Sequence, residues 1–139
     1  MDVRITNFLD RHKICVLSLS LPDGKVHAAT CHYAQLDNPL QIAIVTEETS
    51  RKGIALKDGR EATAAVTIGF SEEEWVELQM SGTVKMVKDG ENCESGKEIF
   101  EGKFGGAMKP GHVILFFQPR WYRYTEFRRI PPVLIEENI

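Results

Sequence analysis

The chain has 139 residues, a length that suits one domain with a substantial hydrophobic core. Its net charge of −3, with 42% hydrophobic residues, excludes the strongly basic surface of a typical nucleic-acid-binding protein. No apolar run approaches the roughly 20 residues that a membrane span needs, and the first residues lack the apolar segment of a secretory signal. We therefore expect one cytoplasmic domain over residues 1–139, with no nucleic-acid or membrane partner.

The first half of the chain predicts one short helix and three strands. Apolar residues at helical spacing indicate the helix, and short apolar runs between turns indicate the strands. The predicted elements are a helix at Val3–His12 and strands at Ile14–Ser20, Lys25–Ala34 and Leu40–Thr46. The turn at Pro22-Asp23-Gly24 and the break at Asp37-Asn38-Pro39 are too short for crossover helices, so these strands are expected to pair antiparallel.

The second half predicts two helices and three more strands. A helix of about two turns follows Ser50, and the tail after Ile130 is expected to be irregular or packed against a partner. The remaining predicted elements are strands at Ala62–Phe70, Trp75–Lys88 and His112–Phe127, with a helix at Glu91–Lys103. Pro119 predicts that the last strand is bent or lies at a sheet edge. Six strands joined mostly by turns indicate a small antiparallel barrel with helices at its mouth.

The cysteines and histidines do not predict a metal site. Cys15, Cys31 and Cys93 form an odd set without paired spacing, which indicates buried reduced thiols. On one strand His27 and Cys31 share a face while His32 points the other way, and no CxxC or HxxxH pair is present. We therefore expect no metal.

An anion site is predicted where the third strand ends. Thr46 closes the strand, and Ser50, Arg51 and Lys52 open the following helix; these four residues are called the Thr46–Lys52 cluster below. Unpaired backbone N–H groups and the positive end of the helix dipole favour an anion at a helix start. Arg51 can add a bidentate contact and Lys52 a point charge, whereas no glycine-rich nucleoside-triphosphate loop precedes them. The cluster therefore predicts a phosphate carried by another kind of ligand.

Small side chains mark the second strand. His27, Ala28, Ala29 and Thr30 stand where a strand core normally carries valine or isoleucine. Small residues let a flat ring lie close to the backbone, whose N–H and C=O groups can bond its edge. A flat ring near a phosphate describes a mononucleotide-like cofactor, for which FMN is the leading candidate. The alternative is that the alanines only relieve crowding within a narrow barrel.

The order of these features resembles a known superfamily. A small-residue strand, the Thr46–Lys52 cluster and then a long strand with Gln79-x-x-Gly82 are similar to the pyridoxamine-5′-phosphate oxidase-like superfamily of FMN-binding split β-barrels. The resemblance covers roughly Phe8 to Phe127 and is closest to short, poorly characterised members. It implies a mainly β (α+β) fold, a six-stranded antiparallel split β-barrel with short flanking helices. It also implies a homodimer with FMN at the subunit interface.

The resemblance further implies roles for individual residues. Arg51 and Lys52 match the ligands of the FMN phosphate, with Ser50 as a further hydroxyl contact. The other positions that match cofactor contacts are the strand-end pair Val45 and Thr46, the ring-bordering His27, Ala28, Ala29 and Thr30, the polar Gln79 that reaches FMN across the subunit boundary, and Trp121 in the last strand.

The activity is less closely defined by the resemblance. The oxidase proper has a C-terminal segment rich in Trp, Arg and His that this sequence lacks after Arg129, so oxidation of pyridoxamine phosphate is not implied. We expect an FMN-dependent oxidoreductase that transfers hydride or electrons to an unidentified small molecule. The alternatives are a non-catalytic flavin-binding or sensing module, a protein that binds the deazaflavin F420, and a haem protein with His32 or His112 as axial ligand.

Overall fold

The structure is a computed structural model that describes residues 1–36, 38, 40–88 and 93–139. The helices are α1 (Val3–Arg11), α2 (Arg51–Leu56) and α3 (Cys93–Phe104), and the strands are β1 (Ile14–Ser20), β2 (Val26–Gln35), β3 (Ile42–Glu47), β4 (Ala62–Ile68), β5 (Val76–Met86), β6 (His112–Glu126) and β7 (Val133–Asn138). Of the helices in this part of the chain, none has the length and apolar character needed to cross a membrane.

Six strands close into an antiparallel barrel. They follow one another in the order β3-β2-β1-β4-β5-β6, and pairing of β3 with β6 completes the ring. Leu17 on β1, for example, lies opposite Ala29 on β2 and Val66 on β4. β5 pairs along one edge of β6, so β3 and β7 share the other edge. The predicted six-stranded antiparallel barrel is confirmed, and a seventh strand extends it.

The prediction of an irregular tail after Ile130 is wrong, because the C-terminal residues form β7. Val133 and Ile135 pack against the core, whereas Leu134 between them is exposed. This alternation occupies only six residues and follows two prolines, so the sequence carried too little periodicity for a strand to be predicted.

The prediction that the last strand is bent or lies at a sheet edge at Pro119 is confirmed. β6 is irregular at this residue, because Gly82 pairs with Pro119 and Ser81 with Trp121, which leaves Arg120 as the extra residue of a β-bulge. On the other side of β6 the pairing with β3 ends before Pro119 and the pairing with β7 begins after it, so no strand pairs with Pro119 there. The bulge accommodates a residue without a backbone N–H inside the sheet.

The other predicted boundaries agree with the structure to within two residues. Parts of three predicted features lie outside the described residues: the break at Asp37 and Pro39, the strand end at Asp89-Gly90, and the helix start at Glu91.

The core lies inside the barrel and continues beneath α1. Ile5, Phe8 and Leu9 follow the helical spacing and are fully buried, and the Phe8 ring meets the Tyr124 ring at 5.8 Å. The Tyr33 hydroxyl donates to the Leu9 carbonyl (2.8 Å), which satisfies a group at the end of the helix. Each such buried apolar side chain contributes about 1.5–3 kcal/mol relative to exposure.

A smaller cluster lies on the outer surface of the barrel, where α3 covers β2, β3 and β6. Ala43 and Ile114 are buried there, with Phe116 packed beside them. A Cβ at Gly96 would lie 2.8 Å from the Phe116 ring, so glycine lets α3 approach this face closely. α3 therefore forms a second layer over one side of the sheet.

Candidate functional site

Strand β2 is paired on both edges for only part of its length. β1 pairs with it along Val26–His32, whereas β3 pairs only with Tyr33, Ala34 and Gln35. Among the described residues, no strand therefore covers the second edge of β2 from Val26 to His32. This gap is the split in the barrel, and α2 begins beside it where β3 ends.

The backbone groups on this open edge belong to even-numbered residues. A hydrogen bond from Tyr33 N to the Lys13 carbonyl (3.1 Å) shows that odd-numbered residues of β2 direct their N–H and C=O groups toward β1. Successive residues of a strand alternate between its two edges, so the groups of Ala28 and Thr30 point into the gap. The outward side chains of both residues are also exposed. A flat ligand could bond to this edge as a further strand would.

The start of α2 is joined to the end of β3 by two hydroxyl groups. Thr46 Oγ1 lies 3.0 Å from Ser50 Oγ. Ser50 Oγ also donates to the Glu47 carbonyl (2.7 Å) and accepts from Gly53 N (3.1 Å), so Ser50 is the N-cap of α2. Because the single Ser50 proton is used by Glu47, Thr46 is the donor to Ser50. The Ser50 hydroxyl is thus already engaged within the chain.

Lys52 is a buried residue in the first turn of α2. Only 6% of its surface is exposed, and it has no ion pair or hydrogen bond from its ammonium group to any residue that the structure describes. Lys52 lies close enough to Cys31 to influence its thiol. Burial raises the pKa of that thiol, and the positive charge of Lys52 acts to lower it. The aliphatic stem of Lys52 is what is buried, whereas its ammonium nitrogen is not one of the buried unpaired atoms and keeps contact with solvent, where it can bind an anion. Lys52 therefore suits an anionic ligand.

Arg51 is placed differently from Lys52. Its side chain is exposed and lines a groove of about 470 Å³ between α2 and the turn that joins β1 to β2. Lys25, Val26 and Ile54 line the same groove, so a second cation lies near Arg51. Of the two predicted phosphate ligands at the start of α2, Arg51 therefore lies on the solvent-exposed side of the helix and Lys52 on its buried side.

A row of small side chains crosses the outer face of the sheet next to the gap. The pairing registers bring Ala28, Ser18, Ala65 and Ser81 side by side on β2, β1, β4 and β5. Ala28, Ala65 and Ser81 are exposed, and Ser18 is half-buried. The other two residues of the predicted ring-bordering segment are Ala29 and His27, and they lie on the inner face of β2. Ala29 packs against the core, and His27, two residues earlier in the strand, is on the same face.

Gln79 lies on this outer face but three strands from the open edge of β2. In the adjoining row, the registers link Thr30 through Val16 and Thr67 to Gln79, three strands away. At about 4.8 Å per strand, Gln79 is roughly 14 Å from Thr30. Within one protomer Gln79 therefore lies three strands away from the open edge of β2.

Trp121 is also separate from the cluster, and its indole is held by β7. Trp121 Nε1 donates to Glu136 Oε1 (3.0 Å), and the Arg123 guanidinium pairs with the same carboxylate at 3.1 Å. These contacts hold the pKa of Glu136 below its ordinary value. Val45, by contrast, directly precedes Thr46 and lines a neighbouring cleft.

That cleft, of about 380 Å³, lies between α3 and the outer face of β2 and β3. The His32 ring packs on Phe104 with centroids 5.1 Å apart, and Phe104 stacks on Phe100 at 4.5 Å. His112 lines the opposite wall, and its Nδ1 is buried with no partner among the described residues. The sequence suggested His32 and His112 only as haem ligands. It did not predict the cleft, because its walls come from four separate segments.

No protein-family model matches the chain, and no curated protein matches it at a significant level. Solved structures do match. A conserved hypothetical protein from Mycobacterium tuberculosis is 17% identical with a TM-score of 0.71, and the alignment covers 94% of this chain and 88% of that one. A pyridoxamine 5′-phosphate oxidase-related, FMN-binding protein from Nostoc punctiforme is 14% identical with a TM-score of 0.68, over 98% and 95% of the two chains.

A haem-binding protein from Mycobacterium smegmatis matches at a TM-score of 0.70 and 10% identity, over 96% of this chain and 55% of that one. Identities this low show the fold alone. The chain has the split β-barrel fold of pyridoxamine 5′-phosphate oxidase-related proteins, as its sequence predicted. The same fold occurs in proteins named for FMN binding and for haem binding.

Proposed function

We propose that the protein is a flavoprotein that binds FMN and acts as an oxidoreductase on a small molecule. The observation that carries the proposal is Lys52, whose stem is buried near Cys31 of β2 and whose ammonium group has no partner among the described residues. A phosphate next to Lys52 would give this ammonium group a charge-assisted partner. The FMN-binding protein of the same fold gives independent support.

The residues around the gap suit a flat ring that carries a phosphate. Lys52 supplies a positive charge, and the exposed Arg51 a guanidinium that can swing toward the phosphate. Thr46 holds the start of α2 in place through its bond to Ser50. Ala28 and Thr30 offer backbone N–H and C=O groups for the edge of the ring. The small Ala28 side chain leaves room for that ring to approach the strand.

Bound FMN supplies the hydride and electron chemistry, so the chain need only bind, orient and shield the reactants. The cleft at His32 adjoins this site, because His32 follows Thr30 on the outward face of β2. Phe100 and Phe104 exclude water from one side of the cleft. The His32 and His112 imidazoles can donate or accept a proton there.

The proposal includes a homodimer with the cofactor at the subunit interface. The row of small, largely exposed side chains on the outer face supports it, since two such faces can approach closely. The separation of Gln79 from the open edge of β2 within one protomer supports it as well, because Gln79 would then serve the cofactor of the other subunit. Light scattering of the purified protein should give twice the chain mass. The free thiols of Cys15 and Cys31 support a reducing, cytoplasmic location.

Haem is the second candidate, and one observation favours it. Two histidines line the aromatic cleft, and the histidine ring is a common axial ligand of haem iron. A haem-binding protein of the same fold adds weight to this alternative.

An absorption spectrum of the purified protein separates the candidates. The proposal predicts flavin bands in the isolated protein or after addition of FMN, and bleaching of those bands by NADH or NADPH without oxygen. A colourless protein that does not bind added FMN would contradict it. A Soret band restored by haemin, with no uptake of FMN, would favour the second candidate. Stable flavin bands that no reductant bleaches would leave a flavin-binding module without turnover.

A further inference from the structure

A second cleft lies on the barrel away from the proposed flavin site. It has a volume of about 240 Å³ and is formed where β4 leads into β5 and where β6 ends. Phe70, Trp75 and Phe127 line it, and each keeps about half of its surface exposed, at 54%, 50% and 49%. Three half-exposed aromatic side chains around one small cleft are more than a folded surface requires.

The backbone around this cleft is held in two unusual conformations. Trp75 has a φ of +50°, which is rare and strained for a bulky residue. Two backbone hydrogen bonds fix it, from Trp75 N to the Ser71 carbonyl (2.9 Å) and from Phe127 N to the Trp75 carbonyl (3.0 Å). Gly69 has a φ of +135°, and a Cβ there would lie 2.4 Å from the Val76 carbonyl oxygen. The position of the Trp75 indole beside the cleft is therefore fixed by a locally strained backbone.

Two of the three rings meet at right angles. Trp75 and Phe127 are in edge-to-face contact, with centroids 6.3 Å apart and planes at 88°, so they are not stacked face to face. The Arg128 guanidinium carbon lies 5.7 Å from the centre of the Trp75 ring, and Arg128 Nη2 donates to the Glu72 carbonyl (3.0 Å). The indole therefore already interacts with a cation of its own chain.

The charge of the lining is negative. Glu72 and Glu77 line the cleft, and no lysine or arginine does so among the residues that the structure describes. Aromatic faces together with carboxylates attract cations that are weakly hydrated, above all quaternary ammonium groups. A cleft of about 240 Å³ holds one such group with a short substituent.

We propose that this cleft binds a small quaternary ammonium compound, with the cation against the aromatic rings and the carboxylates at its rim. The proposal does not depend on flavin binding, because none of the cleft residues belongs to the Thr46–Lys52 cluster or to the open edge of β2. It assigns the exposed aromatic residues to a ligand rather than to a contact with a second copy of the chain.

Choline is a suitable probe, and 3,3-dimethylbutan-1-ol is its uncharged analogue of nearly equal shape. In nitrogen-15 NMR spectra of the full chain at constant ionic strength, choline should shift the indole N–H signal of Trp75 in a saturable way. The signal of Trp121 should stay in place, and the variant Trp121→Phe assigns the two signals. The uncharged analogue should bind about threefold to thirtyfold more weakly, as the loss of a cation–π contact implies.

Two variants test the chemistry of the walls. Phe127→Leu keeps an apolar side chain but removes a ring, and Glu72→Gln with Glu77→Gln removes the charges. Each should weaken choline binding by about threefold or more and should affect the uncharged analogue less. Glu98→Gln, on the exposed side of α3, is the control and should change nothing.

Three results would overturn the proposal. The first is the absence of a saturable shift of Trp75 with choline. The second is equal binding of choline and the uncharged analogue. The third is a Trp75 signal that depends on protein concentration and not on choline, which would show that a second copy of the chain covers the cleft.

Discussion

Thr46 Oγ1 donates to Ser50 Oγ at 3.0 Å, and this bond joins the last residues of β3 to the N-cap of α2. The bond sets the direction in which the helix leaves the strand. It thereby places Lys52 in the buried position beside Cys31. One hydroxyl pair therefore connects the end of the barrel strand with the cation on which the proposed function rests.

Replacing Ser50 by alanine should destabilise the protein. The variant loses the acceptor for Gly53 N and the donor to the Glu47 carbonyl, and loss of an N-cap costs about 0.5–2 kcal/mol. Urea unfolding followed by circular dichroism measures this change. Thr49→Ala alters an exposed hydroxyl one residue earlier and is the matched control. Equal stability of the two variants would show that the Ser50 bonds do not hold the start of α2.

Gly82→Ala should be among the most damaging single substitutions in the chain. A Cβ at this position would lie 1.9 Å from the Gln118 carbonyl oxygen, so the backbone of the bulge must move. We expect a loss of about 3 kcal/mol or more in unfolding free energy. Gly102→Ala, on α3 with no atom within 4 Å of the new Cβ, should instead stabilise by about 0.5–1 kcal/mol. A mild effect of Gly82→Ala would disprove the tight bulge.

Lys103 should make stability depend on alkaline pH. Burial lowers the pKa of Lys103 to about 8, against 10.5 for an ordinary lysine. Below pH 8 Lys103 is charged in both the folded and the unfolded protein, so its contribution to the free energy of unfolding does not change with pH. Between pH 8 and 10.5 the unfolded chain binds more protons, so the free energy of unfolding should rise with pH through this group. Its charged form also lies 3.9 Å from the Tyr33 ring centre.

The measurement compares wild-type protein with Lys103→Gln by urea unfolding at several pH values from 7 to 10.5. The stability difference should grow in favour of the wild type over that range, while groups common to both proteins cancel. The exposed Lys57→Gln should run parallel to the wild type. A difference that is flat with pH would contradict the lowered pKa.

The thiols of Cys15 and Cys31 should resist modification in the folded protein. Burial raises the pKa of both thiols, so little reactive thiolate forms near neutral pH. In a Cys93→Ser background, which leaves only these two, iodoacetamide should react slowly without urea and fully in urea. Mass spectrometry counts the adducts. Rapid labelling of the native protein would show that this part of the barrel opens readily.

Much of the barrel could be predicted from sequence because its signals are local. Alternating apolar residues and short turns identify six strands, and Ser50 identifies the start of α2. β7 escaped prediction because its two inward residues, Val133 and Ile135, are stabilised by pairing with β6 rather than by a strong pattern of their own. The pairing of distant segments is a tertiary effect that a short window does not contain.

The candidate site was predictable only in part for the same reason. The sequence grouped Thr46, Ser50, Arg51 and Lys52 because they are neighbours along the chain. It did not predict that Lys52 would be buried while Arg51 would be exposed, since this depends on which side of α2 faces the gap beside β2.

The central claim is that Lys52 binds the phosphate of FMN, and a comparison of FMN with riboflavin tests it most directly. Fluorescence titration should show the wild type binding FMN about tenfold or more tightly than riboflavin, as expected for a charge-assisted phosphate contact. Lys52→Met should remove most of that preference without loss of folding stability, because methionine fills the buried space without a charge. Lys57→Met is the control and should retain it. Equal affinity of the wild type for FMN and riboflavin, or an unchanged preference in Lys52→Met, would contradict the account.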